Sequence, residues 1–249
     1  MPDEKPRFSA GLKRRPALEL INHIFYRPLG FLVVRLLWST PLRPEHLVVL
    51  HGLLGLLAAL LLAGRHFLTA AVLLQLVTVL DNADGQLARS RGQESLLGRY
   101  LDTEVDFMVH LALFLALARI CGTGSALVGL VALTLLLSLD YNLAHAASGR
   151  EDAAPEPGAE RMLALVYGLL FGWQDALLRR LEKGLPAPPA WLYWLLANLG
   201  RTTQFVVFGI ALALGRPCAY PFFLILAASV VFLVYAGRIW GSTSTRFPR

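Results

Sequence analysis

Residues 81–106 read DNADGQLARSRGQESLLGRYLDTEVD, and they decide how the rest of the chain is understood. Asp81, Asp84, Asp102 and Asp106 lie in two segments whose surroundings are otherwise apolar enough for membrane helices. A carboxylate at the centre of a membrane helix costs about 2.5–3.5 kcal/mol on insertion scales, and less near an interface. Four of them call for a compensating cation or a wet cavity. Asp81, Asp84, Gly85, Ala88 and Arg89 are spaced by three and four, which places them along one helix face. Gly98, Asp102 and Asp106 form a second such stripe. If the two helices are antiparallel neighbours joined by the short loop RSRGQ, the stripes meet in an acidic pocket with a small-residue floor.

Oxygen ligands of this kind suit hard cations, Mg²⁺ or Mn²⁺, which commonly bridge carboxylates and phosphates. Four acids have capacity for two ions. Such ions would clamp a diphosphate and stabilise a leaving phosphate. One carboxylate could then take the proton of an attacking hydroxyl. Gly85 and Ala88 leave room for a ligand against the backbone, and Arg89 could hold a phosphate through its guanidinium.

The chain outside this stretch is membrane-like. Of its 249 residues, 56% are hydrophobic and 16% charged, against about 25% charged in a soluble domain. A crossing helix needs about 20 mostly apolar residues. Six segments approach that length, at 46–63, 67–90, 95–119, 123–145, 190–214 and 218–238. Residues 1–15 read as a disordered basic tail, 16–240 as one all-α membrane domain and 241–249 as a second tail. Residues 16–38 read as an amphipathic interfacial helix broken at Pro28. Residues 161–183 read as a second interfacial helix, with a seventh span as the alternative.

Lys13, Arg14, Arg15, Arg89, Arg91, Arg99, Arg150, Arg179, Arg180, Lys183, Arg238, Arg246 and Arg249 fall on one side of this arrangement. The other side holds Arg65, Arg119 and Arg216. The positive-inside rule then places both termini and the aspartate stretch in the cytoplasm, in a cell or inner membrane. The net charge of +6 reflects topology and lipid contact, and nothing resembles a nucleic-acid motif. No cleavable signal peptide is expected, because Arg27 and Arg35 interrupt the first apolar stretch. Cys121 and Cys218 fall near outer turns, where a disulfide is compatible, but two inert thiols are the expectation.

Further polar residues at membrane depth extend the candidate site. Arg201, within the fifth span, either binds an anionic part of an acceptor or pairs with a pocket acid. Asp140 and His145 at the inner end of span four are candidates for the acceptor side. His110 continues the Asp102–Asp106 stripe and is expected to be a helix contact.

The order D-x-x-D-G-x-x-A-R, eight residues, G-x-x-x-D-x-x-x-D resembles the signature of the CDP-alcohol phosphotransferases. Asp81, Asp84, Gly85, Ala88, Arg89, Gly98, Asp102 and Asp106 supply it without a gap. The resemblance implies cleavage of a CDP-linked donor, transfer of its substituted phosphate to an alcohol, and release of CMP. It implies Asp81, Asp84 and Asp102 as metal ligands, with Asp106 contributing to the metal site and serving as base. Gly85, Ala88 and Gly98 would make room for the cytidine nucleotide, and Arg89 would contact its phosphate side. A homodimer in the membrane is also implied. Many members carry Asn and Thr where this chain has Glu45 and Val48, which shifts attention to His46 at that edge. The expected donor is CDP-diacylglycerol and the acceptor a small polar alcohol, with phosphorylated ones such as an inositol phosphate or glycerol phosphate among the candidates. Transfer from CDP-choline or CDP-ethanolamine to diacylglycerol is the alternative. A cation transporter or a silent scaffold would leave the Gly/Ala stripe and the intact acids unexplained.

Overall fold

Two short polar signals reverse the chain between the acidic stripes. Gly92 takes the left-handed conformation (φ 64°) that glycine adopts at no steric cost, which ends the first helix. Ser95 then caps the second, its hydroxyl accepting the Gly98 N–H at 2.9 Å. These helices are α3 (Phe67–Arg91) and α4 (Leu96–Cys121). The computed structural model describes residues 6–12, 15–148, 155–183 and 185–244, and every regular element among them is helical. Lys13, Arg14, Arg150, Arg246 and Arg249, together with most of the expected C-terminal tail, lie outside the described residues.

The remaining helices are α1 (Arg27–Leu37), α2 (Pro44–Ala63), α5 (Thr123–Ser148), α6 (Ala159–Leu170), α7 (Gly172–Glu182), α8 (Ala190–Ala197), α9 (Arg201–Ala213) and α10 (Ala219–Ser244). Pro44 opens α2, where its missing N–H is harmless. The His46 ring accepts the Arg43 N–H there at 3.0 Å, so His46 acts as a cap. Of the expected spans, α2, α3, α5 and α10 are long and apolar enough to cross a membrane on their own. The α8–α9 pair, bent by 47°, makes a fifth if it crosses as one. α4 matches them in length but carries Asp102, Glu104, Asp106 and Arg119.

α2 packs against both α3 and α4, and α3 also packs against α1 and α9. α3 and α4 make little direct contact with each other, so the stripes meet across a space backed by α2. That differs from direct antiparallel packing of the two helices. Below the acidic end, Leu62, Leu74, Leu113, Leu117, Leu133 and Phe208 form a fully buried core, closed by Tyr220 stacked on Phe208 at 4.3 Å.

Four readings of the sequence change in detail. The amphipathic N-terminal segment is not broken at Pro28. A turn of π-helix over Asn22–Tyr26 runs without a break into α1, and Pro28, which removes one N–H from the ladder, follows directly on this widened turn. Phe8–Gly11, within the segment read as a tail, forms a short 3-10 helix against α3, with the Phe8 ring edge-on to Phe31 at 5.3 Å. Residues 161–183 are two helices parted at Phe171, and neither 12 nor 11 residues reaches the roughly 20 that one crossing takes. Cys121 and Cys218 are joined in a disulfide, correcting the expectation of two thiols. It ties the far end of α4 to the start of α10, a pairing that depends on tertiary packing and not on spacing.

The disulfide closes a loop 97 residues apart in sequence. Its removal by a Cys121→Ser/Cys218→Ser double substitution is expected to destabilise the fold by about 2–4 kcal/mol. A lower thermal midpoint in detergent, and maleimide labelling of the denatured wild type only after reduction, check this.

Candidate active site

Close helix approach creates the site. Gly52 and Gly55 on α2 face α4, where an added Cβ would come within 2.5 Å of Val105 and 2.6 Å of Val109. Only glycine permits this separation, and it brings His51 of α2 up to the acids of α3 and α4. The His51 ring is fully buried. Its Nε2 lies 3.2 Å from Asp84 Oδ2 and 3.6 Å from Asp102 Oδ1. One ligating atom each from His51, Asp81, Asp84 and Asp102 fall within 4.8 Å of one another.

Asp106, one turn beyond Asp102, is engaged by Arg201. The Arg201 guanidinium ion-pairs with both Asp81 and Asp106. Arg201 reaches this position because the fifth span breaks before it. Asn198 holds the break by donating to the Leu18 carbonyl and accepting the Leu20 N–H, each at 2.9 Å. Arg201 is thus the first residue of α9 and not the middle of a continuous helix. The sequence reading left acceptor binding and pairing with a pocket acid both open, and the structure shows the pairing.

Among the described residues the four carboxyl groups face the Arg201 guanidinium and the His51 imidazole, which carry less positive charge than four ionised acids would carry negative. Charges removed from water need close partners to offset lost solvation. A divalent cation would add to that compensation. Clustered carboxylates with a single imidazole are a donor set for a divalent ion, and the 4.8 Å limit is compatible with one coordination shell. The residues present fit a metal. The set gathered by geometry differs from the one expected, because His51 joins Asp81, Asp84 and Asp102 while Asp106 stands with Arg201.

The other expected residues take the following places. Gly85 and Ala88 are half-buried on the motif face of α3. The Arg89 guanidinium folds back over Gly85, 3.1 Å from where a Cβ would stand, and its Nε donates to the Gly11 carbonyl at 2.7 Å. Gly98 lies at the start of α4 beside the Glu45 carboxylate, 3.6 Å from the position of an added Cβ. Asp140 is ion-paired with Arg15 at 3.1 Å, and His145 stacks on Tyr141, so the structure gives both candidates partners of their own. His110 holds the Asp106 carbonyl through Nδ1 at 2.7 Å and stacks on Phe205, linking α4 to α9.

His51 was not anticipated. The available signal was a lone imidazole inside the apolar run 47–62, with two glycines following on the same side. Neither its facing residue nor its depth could be read without the α2–α4 packing.

Residues 42–240 match the family described as CDP-alcohol phosphatidyltransferase. A protein of Rubrobacter xylanophilus named bifunctional IPC transferase and DIPP synthase is 35% identical over 117 residues. The aligned region is 46% of this chain and 27% of that relative, so the chain matches about a quarter of the relative's length.

Gly55→Val places branched carbons where Val109 already stands, and overpacking of this kind costs about 1–3 kcal/mol. The thermal midpoint is expected to fall. Gly124→Ala, whose Cβ would meet nothing within 4 Å, should not lower it.

Proposed function

This chain belongs to the CDP-alcohol phosphatidyltransferase family, and on that premise we propose that it transfers a phosphatidyl group from CDP-diacylglycerol to a small polar alcohol, releasing CMP. The enzyme class, a transferase of substituted phosphate groups, follows from the family. The observation that carries the reading is the convergence of Asp81, Asp84 and Asp102 with Asp106 and Arg201 beside them.

Asp81, Asp84 and Asp102 would hold divalent metal, Mg²⁺ or Mn²⁺ in one or two ions. The metal supplies charge neutralisation at the diphosphate and at the leaving phosphate. Gly85, Ala88 and Gly98 leave the half-buried floor on which a nucleotide can approach the backbone. Arg89, anchored through its Nε, keeps a guanidinium beside that floor for the nucleotide's phosphate side.

Asp106 is the base in this scheme. It takes the proton of the acceptor hydroxyl as the oxygen bonds to the donor phosphorus and the bond to CMP breaks. Arg201 contributes from the neighbouring helix, its charge suited to a phosphorylated acceptor such as an inositol phosphate or glycerol phosphate. Asp140 and His145 remain weaker members of the acceptor side. Orientation with the acids in the cytoplasm is supported twice. Lys and Arg concentrate at that end, and the disulfide lies at the other, where an oxidising compartment would preserve it. The proposal includes six crossings over residues 16–240, with the α8–α9 pair as one and α4 among them, and a homodimer.

Purified protein given CDP-diacylglycerol and a panel of alcohols should release CMP, and chelation should stop it. Asp106→Asn should lower turnover about 10²–10⁴-fold if it removes the base. Turnover with CDP-choline and diacylglycerol, but not with CDP-diacylglycerol, would overturn the donor assignment. Arg201→Lys loses the planar two-pronged donor, so the KM of a phosphorylated acceptor should rise while CMP binding stays unchanged.

A further inference from the structure

The geometry points to His51 as a nitrogen ligand of the metal site, one that biases the site toward Mn²⁺ over Mg²⁺. The inference rests on the metal-dependent transferase reading and deepens it. The imidazole is fully buried in an otherwise apolar helix, a costly placement unless the ring has work at the site. Both ring nitrogens are buried without a hydrogen-bond partner, and Nε2 is turned toward two carboxylates of the opposing helices. Neighbouring ligands around a small octahedral ion, with bonds of about 2.1 Å, stand about 3.0 Å apart. The observed 3.2 and 3.6 Å from Nε2 to Asp84 and Asp102 are close to that spacing.

The backbone supports the same assignment. Gly52 and Gly55 let α2 close on α4, and any larger residue would strike Val105 or Val109. That approach is what carries the ring into the acidic cluster. Asp106, the fourth acid of the stripe, is meanwhile held by Arg201. An ion placed among the gathered atoms would thus meet one nitrogen and three carboxylates.

Donor type decides selectivity. Mg²⁺ is a hard ion that prefers oxygen and keeps its waters, and it gains little from imidazole. First-row transition ions bind nitrogen better, so one imidazole shifts the balance toward Mn²⁺ without excluding Mg²⁺. His51→Gln should therefore reduce Mn²⁺ affinity about 10-fold or more, in the range that ligand-supporting changes produce, and reduce Mg²⁺ affinity much less.

The decisive measurement uses the wild-type protein with Mn²⁺ as a spin probe. Pulsed electron paramagnetic resonance should show a directly coordinated ¹⁴N, and growth on ¹⁵N-histidine should replace that coupling with the ¹⁵N pattern. His51→Gln should abolish it, with folding checked by the thermal midpoint. If the variant does not fold, the isotope substitution in wild type still decides. Bound Mn²⁺ without nitrogen coupling would overturn the inference and leave the ring as an ion-pairing neighbour of Asp84 and Asp102. That outcome would not touch the transferase reading, which fails separately if no CDP-linked donor yields CMP. A parallel fall in Mn²⁺ and Mg²⁺ affinity in a folded His51→Gln protein would refute the selectivity.

Discussion

The packing of carboxylates among helices poor in water governs this structure. Asp81, Asp84, Asp102 and Asp106 repel one another and lose solvation together, so each helix that touches them brings a partner. α9 brings Arg201, which pairs with Asp81 and Asp106. α2 brings His51, which reaches Asp84 and Asp102. Among the described residues these two partners carry less positive charge than four ionised acids would carry negative, and a divalent cation could make up the difference.

Irregular backbone delivers these partners. Glycines at 52 and 55 narrow the α2–α4 gap until His51 is among the acids. A 47° bend between α8 and α9 turns Arg201 into a helix-start residue facing inward. Asn198 makes the bend tolerable by engaging Leu18 and Leu20 of the N-terminal segment. At the motif end of α3, Arg91 plays a comparable part, donating to the carbonyls of Leu37, the last residue of α1, and of Trp38 and Thr40 beyond it. α1 is thereby fastened to the helix that carries the first two aspartates. Gly30 allows the same close contact, since a Cβ there would stand 3.2 Å from the Ala83 backbone nitrogen.

Much of the site was legible from spacing. Residues three and four apart share a helix face whatever surrounds them, so both acidic stripes, their glycines and Arg89 could be assigned to surfaces in advance. The family signature added the expected chemistry, and residues 42–240 match that family. Other features resisted for identifiable reasons. The Cys121–Cys218 disulfide joins residues 97 apart, and spacing does not encode such a meeting. The break at 198–200 lies between two helices that together are apolar enough for one span. Asp140 could not be separated from the pocket acids until Arg15 was found against it.

The sequence alone determined an all-helical membrane chain, because hydrophobic length and helical periodicity are local properties, and the order of its motif carried the resemblance to a family of phosphate-group transferases. It also determined that two acidic faces exist. Tertiary structure decided which groups complete them: His51 from a helix read as plain span, and Arg201 paired rather than merely nearby. The reason is physical. A residue's face follows from its neighbours in sequence, but its electrostatic partners follow from how closely other helices can approach, and here glycine contacts and a bent span set that distance.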